Sequence, residues 1–222
     1  MKPCQIVVLI SGSGSNLQAL IDAIKRGDIS GRIAAVISNR PGVKGLERAA
    51  AENIPALAID HKRFGSRAEF DQALAETIDQ YHPDLLVLAG FMRILTPEFV
   101  NHYTGKMLNI HPSRLPRYQG LHTHKRAIEA GDRHHGASIH FVTAELDGGP
   151  VILQSRLPIR PEHTPETLAA DLLPQEHALY PLAVQWFCEG RLKYTPEGVR
   201  LDDQLLSKPI QYEELTSKHR TP

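Results

Sequence analysis

Residues 6–10, a run of five Ile, Val and Leu side chains, constrain the fold more than any other stretch of the chain. A strand with one wet face alternates apolar and polar residues, whereas a strand buried on both faces is continuously apolar. The glycine-rich turn Ser-Gly-Ser-Gly-Ser-Asn follows at residues 11–16. Beyond it, apolar side chains recur at helical spacing: Leu17, Leu20, Ile21 and Ile24. This order predicts a buried parallel strand, a tight turn and an amphipathic helix that Gly27 ends.

The same alternation of strand and helix continues through the first half of the chain. The next predicted strands cover residues 33–37, 56–59, 85–88 and 107–110. The predicted helices between them contain residues 46–51 and 70–78, and a short one begins at Thr96-Pro97-Glu98, which offers an N-cap and a first-turn proline. Strands that alternate with helices predict an α/β fold, namely a mainly parallel, doubly wound (Rossmann-like) sheet with helices on both faces.

The pattern changes after a predicted helix over residues 122–130. Residues 138–146 and 151–157 flank Asp147-Gly148-Gly149-Pro150, which is a hairpin-turn signal and predicts an antiparallel edge. A long helix then begins at Thr164, with a kink expected at Pro174 and its end at Gly190. We therefore expect one domain over residues 1–190, followed by a polar extension, residues 191–222, that lies over the surface.

Composition excludes several classes of partner. Lys and Arg total 25, as do Asp and Glu, so no overall field attracts nucleic acid or an anionic membrane, and a small ligand fits better. Cys4 and Cys188 lie far apart without CxxC spacing, which favours a reducing compartment. No stretch approaches the roughly 20 apolar residues of a membrane span. We expect a cytoplasmic protein; the sequence does not fix its oligomeric state, and a homodimer is one option.

The turn at residues 12–16 joins a strand to a helix, where free backbone amides and the helix dipole favour an anion such as phosphate. It is not a P-loop, because no Lys follows the glycines. It is not a full dinucleotide fingerprint either, because Leu17 stands in the third glycine's place and the second strand ends in Ser38-Asn39 without a carboxylate. The alternative is a tight glycine turn without a ligand.

Asn109 and His111 are the candidate reactive pair. Residues two apart in a strand point to the same face, and Pro112 holds the strand's carboxyl end extended, at the edge where open α/β sheets bind ligands. An amide that donates to a developing negative charge and an imidazole that moves a proton suit acyl-type chemistry. Asp147 is a candidate third member that would orient His111. The alternatives are a buried, hydrogen-bonded Asn and His and an ordinary Asp-Gly turn.

Residues 91–95 follow the most buried strand and suit either a pocket for a flat ligand with an acidic tail, held by Arg93, or packing at a helix entry. Arg67 alone predicts only a solvated side chain. The chain has 12 histidines, but without HExxH, a cysteine partner or a carboxylate set we expect no metal site. His140 alternates with apolar residues and is expected to be an interior, hydrogen-bonded histidine.

Several segments together resemble one family, the folate-dependent glycinamide ribonucleotide transformylases of purine synthesis. The matching segments are IVVLISGSGSNLQAL, GLERA, LVLAGFMRIL, LNIHPSRLPRYQGLHTH, HFVTAELDGGPVILQ and QEHALYP. They cover nearly everything before residue 190. The N-x-H-P-S-x-L-P segment with a later D-G-G is shared by formyltetrahydrofolate enzymes generally, whereas SGSGSN is more particular to the ribonucleotide transformylases. The chain departs from the usual pattern at Ser13, Arg114, Gln119 and Ala144.

The resemblance implies a formyltransferase that uses 10-formyltetrahydrofolate as co-substrate and no metal. It implies Asn109, His111 and Asp147 as catalytic residues. It implies that Gly14, Ser15 and Asn16 bind the substrate phosphate and that Glu176 lies near the ribonucleotide. The implied folate-binding residues are Arg67, Met92, Arg93, Ile94, Leu95, Asn109, Thr143, Ala144, Glu145, Leu146 and Asp147.

Three other functions are considered beside this one. A formyltetrahydrofolate hydrolase would use water in place of the amine and usually carries an extra amino-terminal regulatory domain. A methionyl-tRNA formyltransferase usually carries a basic carboxyl-terminal domain. The length of 222 residues favours neither. A non-catalytic folate- or phosphate-binding module would be expected to lack Asn109, His111 or Asp147, and all are present.

Overall fold

The structure, a computed structural model, describes residues 2–217. In this range the strands are β1 (Cys4–Ile10), β2 (Gly31–Ser38), β3 (Ala56–Ala58), β4 (Leu85–Leu88), β5 (Met107–His111), β6 (His134–His135), β7 (Ser138–Phe141), β8 (Val151–Gln154), β9 (Leu157–Pro158), β10 (Leu192–Thr195), β11 (Gly198–Leu201), β12 (Gln204–Leu205) and β13 (Ile210–Gln211). The helices are α1 (Ser15–Lys25), α2 (Lys44–Ala51), α3 (Arg67–Asp79), α4 (Pro97–His102), α5 (Thr123–Glu129), α6 (Pro165–Cys188) and α7 (Tyr212–Ser217). A 3₁₀ turn covers His61–Arg63.

The main sheet has the strand order β13-β8-β7-β5-β4-β1-β2-β3 within residues 2–217. From β3 to β5 all neighbours are parallel. Strand β7 is antiparallel to both β5 and β8. The mainly parallel, doubly wound sheet is therefore confirmed, and its order reverses between β1 and β4, where such folds bind ligands.

Strand β1 is buried on both faces, as the sequence predicted. Ile6, Val8 and Ile10 pack with residues of α1 and α6 in one apolar cluster. Val7 and Leu9 belong to a second cluster, formed with α3 and α4. Because successive strand side chains point to opposite faces, one strand anchors both helical layers.

The hairpin differs from the prediction. Strand β7 ends at Phe141 rather than at residue 146, and residues 142–150 form a long loop before β8. The backbone amide of Phe141 donates to Pro150 O at 3.1 Å, so the hairpin closes there. Gly149 lies so close to Phe141 that a Cβ on Gly149 would overlap the Phe141 carbonyl. Because the hairpin closes at these residues, the segment between Phe141 and Gly149 lies outside the sheet.

The second hairpin arm is also shorter than predicted, because β8 ends at Gln154. Ser155 instead bonds to Ala137 through its backbone and its hydroxyl group. Strand β9 leaves the main sheet and pairs with β6. The antiparallel pair does not form the edge, because β13 adds in parallel to β8.

The region after residue 190 is not the surface extension that the sequence suggested. Strands β10, β11 and β12 form a small antiparallel sheet, and Leu192 and Val199 are buried in the apolar cluster that contains α6. A few apolar residues at well-placed positions are enough to bring this polar segment onto the core. Residues 218–222 of the predicted extension lie outside the described residues.

Helix α6 begins at the predicted cap. The Thr164 hydroxyl accepts from the backbone amide of Thr167, and the Thr167 side chain accepts from the Thr164 amide, which forms a capping box. The helix is continuous through Pro174 and ends two residues before Gly190. The Tyr180 hydroxyl, fully buried, lies within hydrogen-bond distance of backbone carbonyls in β4 and at the centre of β5. In residues 2–217, no helix combines the length and apolar character needed to cross a membrane.

Candidate active site

Three strand ends meet at the point where the sheet order reverses. Ser11 follows β1, Gly90 follows shortly after β4, and His111 ends β5. The Ser11 hydroxyl accepts from the backbone amide of Met92 at 2.7 Å and donates to Asn39 Oδ1 at 2.5 Å. These bonds join the loops that leave β1, β2 and β4, and the end of β5 lies next to β4, so the polar residues of these loops lie around one cleft.

The glycine turn places the start of α1 at this edge. Gly14 is the N-cap of α1 and has φ 69°, a left-handed conformation that costs glycine little. A Cβ at Gly14 would lie 2.7 Å from Gly45 Cα, so the turn and α2 approach too closely for any side chain there. Ser15 and Asn16 form the first turn of α1, where backbone amides lack helical partners. The geometry fits an anion at the helix N-terminus.

Asn16 and Glu176 meet beside this turn, with Asn16 Nδ2 donating to Glu176 Oε2 at 2.9 Å. Burial raises the pKa of Glu176, and the hydrogen bond from Asn16 partly offsets this. Among the described residues, buried polar atoms without a partner include Asn16 Oδ1 at this turn and Nε2 of His177, the residue after Glu176. Since buried polar groups are normally paired, this cluster indicates a place for a polar ligand.

A cavity of about 300 Å³ opens at the same helix and is lined by Ser15, Gln18, Ala19, Asp22, Arg26, Arg48 and His177. Arg48 donates through Nε to Ser13 O at 2.8 Å, which fixes a guanidinium beside the glycine turn. Burial lowers the pKa of His177, and Arg48 lowers it further. The cavity therefore carries positive charge on the side that faces the turn.

Asn109 is oriented by a neighbouring histidine. The two residues lie opposite each other in β5 and β7, and Asn109 Nδ2 is 3.1 Å from His140 Nε2. His140 Nδ1 is 2.9 Å from the carbonyl of Phe141, so we assign the proton to Nδ1 and let Nε2 accept from the amide. Burial lowers the pKa of His140, which favours this neutral form. The interior, hydrogen-bonded position predicted for His140 is confirmed.

His111 and Asp147 also come together. His111 is buried; its Nε2 donates to Tyr118 O at 2.8 Å, and its Nδ1 lies 3.5 Å from Asp147 Oδ2. Asp147 adopts φ 50° and accepts from the backbone amide of Gly120 at 2.8 Å. Its other oxygen lies 3.9 Å from His140 Nε2. The structure thus brings the three residues singled out from the sequence into one cluster.

A narrow cavity of about 90 Å³ begins at this cluster. It is lined by Leu88, Phe91, Arg93, Ile94, Leu95, Val100, Asn109, His140, Val142, Thr143, Ala144, Glu145, Leu146 and Asp147. Met92, Ile94 and Leu146 are 69%, 54% and 49% exposed beside it, which is unusual for large apolar side chains in one place. The cavity walls and this apolar rim fit a flat ligand with an apolar body.

Not every residue singled out from the sequence lines this cavity. Met92 and Arg67 do not, and Arg67 is an exposed residue at the start of α3. Buried His111 lies behind Asp147 rather than in the wall. Arg93 does line it, with its guanidinium 5.3 Å from the centre of the Phe70 ring and its Nε buried without a partner in residues 2–217.

Sequence reasoning missed several residues of the site. His140 was predicted to be interior, but its contact with Asn109 depends on the register of β5 and β7, which no local pattern encodes. Arg48 and His177 reach the cavity beside the glycine turn from distant helices. The segment around Glu176 was the only sequence signal for that side of the site. Within residues 2–217, no group of three or more His, Cys, Asp or Glu side chains is arranged to hold a metal ion.

Comparison with known proteins shows to which protein family the chain belongs. Residues 4–184 match the model of the formyl transferase family, and the chain belongs to this family. Among its relatives is the phosphoribosylglycinamide formyltransferase of Escherichia coli (strain K12), 54% identical over 201 residues that make up 90% of this chain and 95% of that protein. The trifunctional purine biosynthetic protein adenosine-3 of Gallus gallus is 43% identical over 87% of this chain, which corresponds to 19% of that longer protein.

A solved structure is similar over nearly the whole fold. It is the phosphoribosylglycinamide formyltransferase of Coxiella burnetii in complex with CHES, with a TM-score of 0.89 and 51% sequence identity. The likeness covers 94% of this chain and all of that chain. The strand and helix order described above is therefore the order of that enzyme's fold.

Proposed function

We propose that this protein transfers the formyl group of 10-formyltetrahydrofolate to the amine of glycinamide ribonucleotide, yielding formylglycinamide ribonucleotide and tetrahydrofolate in purine biosynthesis. The observation that carries the proposal is the cluster of Asn109, His111 and Asp147 at the inner end of a narrow cavity. Relatives named for this activity, one of them in a purine biosynthetic protein, support it. No metal has a part in the proposed reaction.

The glycinamide ribonucleotide would bind at the start of α1. Its phosphate would accept from the backbone amides at Gly14, Ser15 and Asn16, where the helix dipole favours negative charge. The unpaired atoms near Asn16 and Glu176 would bond to the sugar hydroxyls. This arrangement directs the amine end of the substrate away from the phosphate and toward β5.

The folate would occupy the narrow cavity and its apolar rim. Residues 93–95 and 143–147 form two walls that would enclose its ring system, and Met92 would cover it from the rim. Asn109 and Asp147 would reach the formyl end. Arg67 would contribute at the outer end, where its exposed guanidinium suits the acidic tail of a folate.

The reaction would begin when the amine attacks the formyl carbon and gives a tetrahedral intermediate. Asn109 donates one amide hydrogen to His140, so its second amide hydrogen is available for the oxygen that becomes negative. Such a donor is typically worth about 2.7–4 kcal/mol in the transition state. Collapse of the intermediate expels tetrahydrofolate.

Protonated His111 would add a second donor, this one positively charged and stabilised by Asp147. In the described arrangement its Nε2 is held by the carbonyl of Tyr118, so that hydrogen bond must open for His111 to face the formyl oxygen. Asp147 would help relay the amine proton, through water, to the folate nitrogen that leaves as tetrahydrofolate forms, so that proton loss by the amine and proton gain by the leaving group balance. General acid–base transfer contributes roughly 10²–10⁴-fold, and alignment of two bound substrates would supply much of the remaining acceleration.

The decisive test is formation of tetrahydrofolate from 10-formyltetrahydrofolate with and without glycinamide ribonucleotide. We expect turnover only with the ribonucleotide and a stoichiometric formylated product. An equal rate of tetrahydrofolate formation with and without the ribonucleotide would favour a formyltetrahydrofolate hydrolase. Folate binding without turnover would favour a non-catalytic module.

Two further proposals concern the setting of the enzyme. We place the enzyme in the cytoplasm, a location that the Escherichia coli relative and the purine biosynthetic relative of Gallus gallus support. Cell fractionation tests this location. A homodimer is the assembly to test by sedimentation over a range of protein concentrations.

A further inference from the structure

A third cavity, of about 510 Å³, lies outside both proposed substrate sites. It is lined by Arg114, Leu115, Pro116, Arg117, Tyr118, Asp132, Arg133, His134, His135, Gln154 and Arg156. Its walls come from the segment after β5, from the residues around β6 and from the end of β8. None of these residues lines the cavity at α1 or the narrow cavity at β5.

Positive charge dominates this cavity, because four guanidinium groups and one carboxylate line it. Among the described residues only Arg117 has a carboxylate partner there, Asp132 at 2.9 Å. Arg114 donates to two neutral oxygens, Ser155 O at 2.9 Å and Gln211 Oε1 at 3.1 Å.

The positive charge of the other two guanidinium groups is balanced even less. Arg156 Nη2 lies 2.9 Å from the ring of His134, which offers no negative charge. For Arg133, no side-chain hydrogen bond or ion pair occurs within residues 2–217, and the residue is exposed. The one further carboxylate close by, Glu213, accepts from the backbone amide of Arg156 at 2.6 Å. Three guanidiniums therefore face one space without a carboxylate bound to them.

The pKa values of two groups at this cavity reflect the concentration of positive charge. Desolvation lowers the pKa of His134, and the charges of Arg156, Arg114 and Arg133 lower it further. Burial lowers the pKa of Arg114 itself, while Glu213 raises it and Arg156 lowers it. A ligand that carries negative charge would offset the contribution of the neighbouring arginines in both cases.

We propose that this cavity binds a multiply charged phosphate anion of about the size of pyrophosphate. Planar guanidiniums match phosphate oxygens in bidentate geometry, and several of them require more than one negative charge for balance. The volume exceeds that of a single phosphate group. The ligand is either free pyrophosphate or the phosphate end of a nucleotide, and both present the same chemistry to the arginines.

Titration calorimetry with the full chain tests this proposal, using pyrophosphate and, in a separate arm, ATP. The turn at Gly14 also attracts phosphate, so the measurement compares variants rather than single curves. The double variant Arg133→Gln/Arg156→Gln removes two exposed cavity charges. The control is Arg63→Gln in the 3₁₀ turn, which removes an exposed guanidinium outside the cavity.

We expect wild type and the Arg63→Gln variant to show a binding event that the double variant weakens about tenfold or more. Circular dichroism should show the same fold for all three proteins. Tighter binding of ATP than of pyrophosphate would identify the source as a nucleotide, and the reverse would identify the free anion. Equal binding by wild type and the double variant, or an equal loss in Arg63→Gln, would overturn the proposal.

Discussion

Asn109 and His140 are joined across two antiparallel strands by a hydrogen bond of 3.1 Å between Nδ2 and Nε2. Because the other imidazole nitrogen already donates to a carbonyl, His140 can only accept from the amide. The amide group of Asn109 therefore has one orientation, with its free hydrogen available to the cavity. A buried neutral histidine thus positions the group that we propose as the oxyanion donor.

The first prediction concerns this donor. Asn109→Ala removes the amide hydrogen, so we expect kcat to fall about 10²–10³-fold with a much smaller change in KM for glycinamide ribonucleotide. Steady-state kinetics measure both constants. Asn101→Ala in α4 is the matched control and should retain wild-type kinetics. Unchanged kcat in Asn109→Ala would remove Asn109 from the proposed mechanism.

The second prediction concerns the carboxylate beside His111. Asp147→Asn keeps the size of the side chain but removes the negative charge 3.5 Å from His111 Nδ1. We expect kcat to fall about 10²–10⁴-fold, because the imidazolium is no longer stabilised and proton transfer is impaired. The pH dependence of kcat should also change. Asp28→Asn, at an exposed position, serves as control, and a pH profile identical to wild type in Asp147→Asn would contradict the role of Asp147.

The third prediction uses two glycines of one turn. Gly14 has φ 69° and no room for a Cβ, whereas a Cβ at Gly12 would meet no atom within 4 Å. Gly14→Ala should lower the free energy of unfolding by about 1–3 kcal/mol and raise KM for the ribonucleotide, since the amides of the turn must shift. Gly12→Ala should change neither. Chemical denaturation and kinetics measure the two effects, and equal behaviour of the two variants would refute the assignment.

The fourth prediction concerns stability below neutral pH. Burial, together with the charge of His124, whose Nδ1 lies 3.0 Å from His135 Nε2, lowers the pKa of His135 to about 4. The unfolded chain, with an ordinary histidine pKa, binds this proton at higher pH than the folded chain does. Stability is therefore present above about pH 6.5 and is lost as the pH falls toward 4.

Replacing the buried imidazole by an amide tests this expectation. Between pH 7.5 and pH 5, wild type should lose about 1–2 kcal/mol more of its unfolding free energy than His135→Gln does. Urea denaturation at both pH values gives the comparison. The exposed His82 provides the control, His82→Gln, which should follow wild type. Parallel losses in wild type and His135→Gln would contradict the shifted pKa.

Local sequence patterns predict most of the fold. Continuous apolar runs indicated the buried strands, and Thr96 and Thr164 indicated helix starts that the structure confirms. What failed depended on distant contacts. Strand β7 ends where Gly149 packs on Phe141, and Leu192 is buried in a cluster whose other members come from strands and helices along the whole chain. Neither contact leaves a periodic signal in the sequence.

The residues of the site also divide into those that a local pattern predicts and those that distant contacts decide. Asn109 and His111 were found because a strand fixes their spacing, and the glycine turn was found because its residue types are unusual. His140 and His177 could not be assigned, since strand register and helix packing decide their neighbours.

Strand β13 determines whether one edge of the main sheet is open to other molecules, both during synthesis and in shortened chains. Its two residues pair with Leu153 and Gln154 and so cover the outer side of β8. A chain shortened before residue 210, or still emerging from the ribosome, presents β8 as an open edge with unpaired amides and carbonyls. Such edges recruit strands from other molecules. Strand β13 therefore protects this sheet edge from pairing with other molecules, and chains that end before residue 210 should aggregate even though every proposed reactive residue is retained.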